Sequence, residues 1–393
     1  MIGQKGIPAT FGGIERHVQE LAVRLVGSGH QVVVYNRPSY ADDDVHDFRG
    51  VRVVTLPSLA TKHLDAITHV ALCTAHALRH GADIVHYHAI GPALLSWVPR
   101  LRQTGVVVII HGQDWRRPKW GRAGATALRA GEWTAMHAPH RTIVVSKSLS
   151  TRLSHEYGRG TDFIPNGITL DAEEDRAILG ELGLEPGKYI FFASRLVPEK
   201  GAHYLVEAYE RLRTELPLEI AGDSSFSADY VRTLRAGCTR KDVIFTGYVY
   251  GPRLAALFKN AALFVLPSDI EGLPIVLLEA LGYGTPVLAS DIPPNREVLG
   301  DLGRTFRAAD VDDLKRQLTA CLGELPALSA QAGRTAATIR TAYDWDAVTA
   351  QTIAVNEGVK AATRGSTASE VRFHARGKGP ADVRTTEREG GHG

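Results

Sequence analysis

The sequence is poor in cysteine, in long apolar runs and in net charge, and each shortage narrows the class of protein. Its three cysteines are odd in number, lie far apart and match no metal-binding spacing, which indicates a reducing cytosol. No run approaches the ~18 apolar residues of a transmembrane helix, and we expect no signal peptide. A net charge of +2 gives no argument for a nucleic-acid partner. We therefore expect a cytoplasmic protein, and these absences leave open a peripheral contact with the inner face of the membrane.

Length and pattern together predict two α/β domains. A chain of 393 residues is too long for one ordinary core. Apolar runs alternate with helical patterns, which is typical of parallel sheets. Helices are predicted at Gly13–Gly27 and Ala66–His80. The predicted strands are Gln31–Tyr35, Val51–Leu56, Ile84–Tyr87, Val106–Ile110 and Thr142–Val145, and then Tyr189–Ala193, Leu218–Ala221, Val243–Thr246, Leu263–Leu266 and Val287–Ala289.

We place the domain boundary between residues 165 and 166, within a connection that contains Pro165 and Gly167. The first domain then covers residues 1–165, the second covers 166–340, and a last helix covers 341–360. Residues 361–393 contain almost nothing apolar, so we predict a disordered tail. A first strand should precede the loop that begins at Gly3, and because the chain starts at Met1 we expect that strand to be truncated.

The most informative segment is LFVLPSDIEGLPIVLLEALGYGTPVLASD, which begins at Leu263. It predicts a strand, a loop, a helix and a second strand, and ligands of such units gather at the carboxyl ends of the strands. Glu271 and Glu279 lie at the loop and about two turns into the helix. Pro274 suits the first helical turn, so the N–H groups near Gly272 and Leu273 are predicted to face an anion.

Two further segments have residues that suit phosphate. A glycine-containing loop ends at Gly12 and Gly13, where the first helix opens, and glycines let N–H groups approach a phosphate closely. Arg195 and Lys200 follow a strand on either side of a turn, and two cations five residues apart can clamp a diphosphate. Neither segment is a dinucleotide fingerprint or a Walker loop.

Histidines mark the end of two strands in the first half. His111 follows the apolar run VVVII, and His86 and His88 alternate on one face of the preceding strand. The three could form a metal site, but no acid or cysteine completes it, and we predict no metal and no cofactor.

A basic and aromatic segment, WRRPKWGRAGATALRAGEW, follows His111 directly. Its composition suits an anionic membrane interface or a lipid-diphosphate acceptor, although single-stranded nucleic acid uses similar chemistry and a solvated surface helix explains it equally well. Its position makes Asp114, Trp115 and Arg116 candidates for the acceptor side.

In combination these motifs resemble the retaining glycosyltransferases of family 4, which have the GT-B fold of two Rossmann-like domains facing across a cleft. The segment KGIPATFGGIERHV resembles a subset of this family that includes rhamnosyltransferases. The segments SRLVPEKG and YDWDAV match patterns of the family. The resemblance makes the first domain the acceptor side, the second the nucleotide-sugar side, and the last helix a return to the first domain.

The resemblance also implies roles for single residues. Glu271 would contact hydroxyls of the donor sugar, Glu279 the ribose, and His111 the reaction centre. Arg195, Lys200 and the loop at Gly13 would bind the diphosphate.

The expected activity is metal-independent transfer of a sugar from a nucleoside-diphosphate sugar to a glycan or a lipid-linked acceptor, with a front-side mechanism and no nucleic acid involved. The alternatives are a sugar-nucleotide epimerase of the same fold and an inactive carbohydrate- or membrane-binding relic. A nicotinamide enzyme would need a GxGxxG loop, which the chain lacks.

Overall fold

Two sheets, parallel except where Asp47–Phe48 pairs with Val51–Thr55, form the architecture, and apolar side chains are buried on both faces of each. A computed structural model describes residues 1–9, 12–38, 40, 45–59, 65–117, 120–223 and 228–375. In the strand at Gly105–Ile110, Val107 and Ile109 join one core cluster while Val106 and Val108 join another. This alternation shows that helices cover the sheet from both sides, which confirms the predicted pair of doubly wound domains.

The strands of the first domain are β1 (Val33–Asn36), β2 (Asp47–Phe48), β3 (Val51–Thr55), β4 (Ile84–His88), β5 (Gly105–Ile110), β6 (Arg141–Val144) and β7 (Asp162–Phe163). Those of the second are β8 (Ile190–Ala193), β9 (Leu218–Ala221), β10 (Val243–Gly247), β11 (Leu263–Leu266), β12 (Val287–Ser290) and β13 (Arg304–Phe306). Every predicted strand is present, and the short strands β2, β7 and β13 were missed.

The helices are α1 (Gly13–Gly27), α2 (Asp65–Arg79), α3 (Arg122–His137), α4 (Lys147–Tyr157), α5 (Ala177–Glu181), α6 (Ala202–Glu210), α7 (Ala228–Ala236), α8 (Gly251–Asn260), α9 (Ile275–Tyr283), α10 (Pro293–Leu299), α11 (Val311–Gly323), α12 (Leu325–Ala342) and α13 (Trp345–Ala375). The two helices for which the sequence analysis gave bounds, α1 and α2, are confirmed.

The second sheet is continuous, with the order β10-β9-β8-β11-β12-β13, whereas the first is built in two parts, β2-β3-β1 and β4-β5-β6-β7. Met1 and Ile2 join these parts. The Met1 amino group donates to the Val33 carbonyl oxygen at 2.7 Å, and Ile2 forms a parallel bridge with Tyr87. The place of a first central strand is therefore filled by these two residues.

The last helix, α13, crosses back onto the first domain. Asn356 accepts a hydrogen bond from His86 on β4 at 2.8 Å, and Lys360 forms a salt bridge with Asp83 at 3.2 Å. The prediction of disorder from residue 361 is wrong as far as Ala375, where the helix ends, because extending an existing helix adds one hydrogen bond per residue without a new nucleus. Residues 376–393 of that predicted tail lie outside the described residues, and the boundary at residues 165 and 166 stays a prediction.

Candidate active site

Two basic side chains follow β8 at its carboxyl end. Arg195 lies two residues after the strand, and Lys200 ends a single 3-10 turn that leads into α6. The next residue, Gly201, has φ +70°, and a Cβ atom there would lie 2.0 Å from the carbonyl oxygen of Pro267. Only glycine permits this approach. The turn is therefore held against the loop that follows β11, and Lys200 reaches that loop.

The loop after β11 brings Glu271 to Lys200 and to the first domain. The Lys200 ammonium donates to Glu271 at 2.5 Å, and the two side chains are only 15% and 7% exposed. At Gly272 a Cβ atom would lie 1.7 Å from the His111 carbonyl oxygen. The loops after β5 and β11 thus touch, which places Glu271 at the contact between the domains.

Positive charge surrounds Lys200. Burial lowers the pKa of Lys200, Glu271 acts against that shift, and Arg195 and Arg117 lower the pKa further. The pKa of Lys5, in the loop before α1, is also lowered, first by burial and then in part by Arg195. Among the described residues the Arg195 side chain has no hydrogen-bond or salt-bridge partner. This end of the cleft therefore has an excess of cations, which favours an anionic ligand.

The start of α1 faces the same cleft. The helix begins at Gly13, and its N-cap, Gly12, provides no side chain for the first N–H groups. A Cβ atom at Gly13 would lie 3.5 Å from Cδ1 of Ile275, the first residue of α9. Two helix N-termini from opposite domains thus lie side by side, and each favours negative charge.

Helix α9 contains the second acid. Pro274 was predicted to lie in the first helical turn. It is instead the N-cap, in extended conformation, and the helix begins at Ile275. The backbone is still extended at Pro274 because the preceding residues pack against His111. Glu279 is 95% buried at its side chain and forms a salt bridge with Arg16 of α1 at 2.7 Å. Burial raises the pKa of Glu279, and Arg16 acts against this shift. The acid thus links the two domains.

The wall of the cleft in the first domain consists of histidines. His111 follows β5, and its Nε2 lies 3.2 Å from Nδ1 of His88, which ends β4. The ring of His17, on α1, lies edge-on to His111 with the centroids 4.7 Å apart. Burial lowers the pKa of His17 to about 4 and those of His88 and His111 well below the ordinary value. These imidazoles are therefore neutral at pH 7.

The sequence grouped the wrong three histidines. His86 lies beside His88 on β4, but it bonds to Asn356 of α13. His17, His88 and His111 are instead the group whose nitrogens converge within the described part of the chain. Sequence reasoning also missed Arg16. The available signal was that Arg16 and His17 lie in the first turn of the helix predicted to face the diphosphate.

The acceptor-side candidates lie in a 3-10 turn just after His111. Asp114 forms a salt bridge with Arg117 at 3.1 Å. Trp115 donates to the buried Glu132 at 3.1 Å, and the Arg116 guanidinium lies 5.4 Å from the centre of the indole. In the described residues no helix is both long enough and apolar enough to cross a bilayer. Lys119 of this segment lies outside the described residues.

Comparison with known proteins identifies the family. Residues 11–172 match the model of Glycosyltransferase Family 4, and residues 174–336 match that of Glycosyl transferases group 1. A GDP-mannose-dependent alpha-(1-6)-phosphatidylinositol monomannoside mannosyltransferase of Mycobacterium tuberculosis is 31% identical over 72% of this chain and 78% of its own. Glycogen synthase of the same organism is 27% identical over 93% of this chain and 95% of its own.

A solved structure shares the architecture. HepE from Anabaena, crystallised with UDP-glucose, superimposes with a TM-score of 0.75 over 89% of this chain and 97% of its own, at 20% identity. The likeness in fold extends across both domains, and the family models together span the cleft described above. The chain is therefore a glycosyltransferase with the GT-B fold, and it belongs to the family that the family 4 and group 1 models describe.

Proposed function

We propose that the protein transfers a sugar from a nucleoside-diphosphate sugar to a hydroxyl group of a glycan or a lipid-linked acceptor. The transfer retains the anomeric configuration and needs no metal ion. The observation that carries this proposal is Arg195, which has no partner among the described residues and lies beside Lys200, opposite the open start of α1. Fixed cations and helix N-termini supply the charge stabilisation that a metal ion provides in other transferases.

In this proposal both walls of the cleft contribute to binding the donor. Arg195, Lys200 and the N–H groups at Gly12 and Gly13 bind the diphosphate. Glu279 accepts hydrogen bonds from the ribose. Glu271 binds sugar hydroxyls, and His111 lies beside the sugar. The N–H groups of Gly272 and Leu273 make the remaining contacts with the donor.

The reaction is front-side. The bond between the anomeric carbon and the diphosphate oxygen breaks, and the acceptor hydroxyl attacks the same face of the sugar. The proton of the acceptor hydroxyl passes to the departing diphosphate oxygen. The reaction therefore requires no nucleophile from the protein. Arg195 and Lys200 stabilise the negative charge that develops on the diphosphate. Asp114, Trp115 and Arg116, next to His111, are the candidates for binding the acceptor.

The relatives indicate several sugars that the donor could contain. The mannosyltransferase is named for GDP-mannose, and HepE was crystallised with UDP-glucose. The loop before α1 resembles that of rhamnosyltransferases. We therefore propose a hexose or deoxyhexose donor, and the panel that tests it contains mannose, glucose and rhamnose donors with their matching nucleotides.

The decisive experiment first selects the donor and then tests transfer. In a thermal-shift panel a nucleotide at 100-fold its dissociation constant stabilises the fold by about 2.7 kcal/mol. The selected donor is then incubated with candidate acceptors, and the product is analysed by NMR for its anomeric configuration. An inverted product contradicts the retaining mechanism. Conversion of the donor to an isomeric sugar nucleotide, without any acceptor, would instead indicate the epimerase.

We also propose that the first domain contacts an anionic membrane surface. The Arg129 guanidinium stacks 4.5 Å from the centre of the Trp115 ring, and Trp133 on α3 is 56% exposed. Trp133 lies one turn after Arg129 on the same helix, and an exposed indole near an arginine suits the interface of an anionic bilayer. Co-sedimentation with vesicles tests this contact. We expect binding to anionic but not to neutral vesicles and loss of binding in Trp133→Ala, whereas Tyr250→Ala, an exposed aromatic of the second domain, should bind as before.

A further inference from the structure

Three histidines from distant segments of the chain meet at the cleft. His17 lies on α1, His88 ends β4, and His111 follows β5. Each has a ring nitrogen within 4.8 Å of a nitrogen of each of the others, and the pair between His88 and His111 is 3.2 Å apart. Zinc binds imidazole nitrogen at about 2.0–2.1 Å, which places tetrahedral ligands about 3.4 Å apart. One pair already has this spacing, and the other pairs lie within 4.8 Å.

The surroundings orient these rings as they would for a metal ion. Nδ1 of His17 lies 2.8 Å from the amide oxygen of Asn166. Since that oxygen only accepts hydrogen bonds, Nδ1 is the protonated nitrogen and Nε2 has the lone pair. Nε2 of His17 is buried and without a hydrogen-bond partner in the described residues, and Nδ1 of His88 faces Nε2 of His111 at 3.2 Å. Histidine ligands commonly donate their second nitrogen to such an oxygen, which fixes the ring.

We propose that His17, His88 and His111 form a binding site for a zinc ion, with a fourth position open to the cleft. Three neutral nitrogen ligands suit zinc and are a poor match for magnesium or calcium, which prefer oxygen. The fourth ligand is a water molecule or an oxygen of the donor. Because His111 lies against the loop of Glu271 and Gly272, a bound ion occupies the space of the donor sugar and inhibits transfer. The inhibition, but not the binding, rests on the proposed function.

Two other histidine groups define the controls. His86 lies next to the site on the same strand, but it bonds to Asn356. His76 and His80 form a stacked pair on α2, with ring centroids 3.9 Å apart, and such a pair is the obvious competing site. His86→Gln and His80→Gln therefore test for zinc bound elsewhere.

Binding is measured with cobalt as a spectroscopic substitute, without any sugar nucleotide. Tetrahedral cobalt gives intense visible absorption, and we expect saturation at one cobalt per chain and its reversal by zinc. His17→Gln and His88→Gln should each abolish the tetrahedral spectrum. Asn166→Ala, which keeps all three ligands but frees the ring of His17, should weaken zinc binding about 10–100-fold. His86→Gln and His80→Gln should bind as the parent does.

Several results would overturn the site. These are no tetrahedral cobalt spectrum in the parent protein, an unchanged spectrum in both ligand variants, or loss of the spectrum in His80→Gln. Melting curves show which variants are folded, and Asn166→Ala keeps the test valid if a ligand variant does not fold. If donor turnover is found, zinc should inhibit it in competition with the donor, and EDTA should restore it. Binding without inhibition would refute the inhibitory role and leave the site intact.

Discussion

The two walls of the cleft differ in the charge of the side chains that line them. The wall of the second domain is charged: Lys200 is paired with Glu271, and Arg195 has no partner in the part of the chain that the structure describes. The histidine part of the first domain's wall is neutral, because burial keeps the imidazoles of His17 and His111 uncharged. In the proposed function, this difference concentrates charge where the diphosphate binds and leaves neutral hydrogen-bonding groups where an uncharged sugar and a hydroxyl acceptor meet.

The largest effect should come from removing charge from the charged wall. Arg195→Ala should lower turnover by about 10²–10³-fold, the usual cost of losing one group that stabilises developing charge. The melting temperature should hardly change, because Arg195 has no partner in the described residues. Lys200→Ala is a poorer test, since it leaves Glu271 buried and unpaired. Arg253→Ala, at an exposed salt bridge, is the control. Full activity in Arg195→Ala would contradict the assignment.

The next effect concerns the response of the two domains to pH. Burial raises the pKa of Glu219, in β9, to about 7, above its ordinary value of 4.5. Between these values the folded state binds more protons, so its stability falls as pH rises, by about 3 kcal/mol in all. Glu219→Gln should remove this dependence. The free energy of unfolding, measured in urea from pH 4.5 to 7.5, tests it, and the exposed Glu215→Gln should leave the slope unchanged.

Buried histidines of the first domain act in the opposite direction. Burial lowers the pKa of His69, so its stabilising contribution is lost as pH falls below the ordinary value of 6.5. If Glu219→Gln had the same pH dependence as the parent, the contrast between the domains would be wrong.

Glu271→Gln should come next, with a fall in kcat of about a hundredfold. The side chain lies at the contact of the two domains and is held by Lys200. Its loss would misplace the anomeric carbon, and small misplacements have effects of this size. Steady-state kinetics with the selected donor measure kcat. An unchanged kcat would mean that Glu271 has only a structural role.

Glu279→Gln should act on donor binding instead. Glu279 lies about one turn into α9, and its partner is Arg16 of the first domain. A charged hydrogen bond to a ribose hydroxyl contributes about 1.5–3 kcal/mol, so the donor KM should rise about 10–100-fold with little change in kcat. The opposite pattern in the two glutamate variants would show that their roles are reversed.

The smallest effect expected is that of chelation. Turnover should survive EDTA, because fixed cations, and not a metal ion, stabilise the diphosphate in the proposed mechanism. A rate abolished by EDTA and restored by magnesium or manganese would show that the cation cluster at Lys200 does not fulfil this role. The rate in metal-free buffer, before and after addition of each ion, is the measurement.

The charged wall was predictable from the sequence, and the neutral wall was not. Arg195, Lys200 and Glu271 lie at the ends of strands in one domain, so the strand pattern alone brings them together. His17 and His88 are separated in the chain by three strands and a helix, and only the packing of α1 across the sheet makes them neighbours. The same holds for Arg16 and Glu279, which belong to different domains. The alternation along β4 suggested His86 as the third histidine of the group. It could not reveal that His86 forms a hydrogen bond with Asn356 of α13.

Helix α13 also sets the order in which this chain becomes a stable protein during its synthesis. A Cβ atom at Gly105 of β5 would lie 2.8 Å from Val359, so the last helix covers the sheet of the first domain closely. Val359 is made about 250 residues after β5, which is about 10–50 s at ordinary rates of elongation. For that interval the nascent first domain has an uncovered apolar face. The apolar face of the first domain is therefore protected from aggregation only after α13 has been synthesised and has packed onto it.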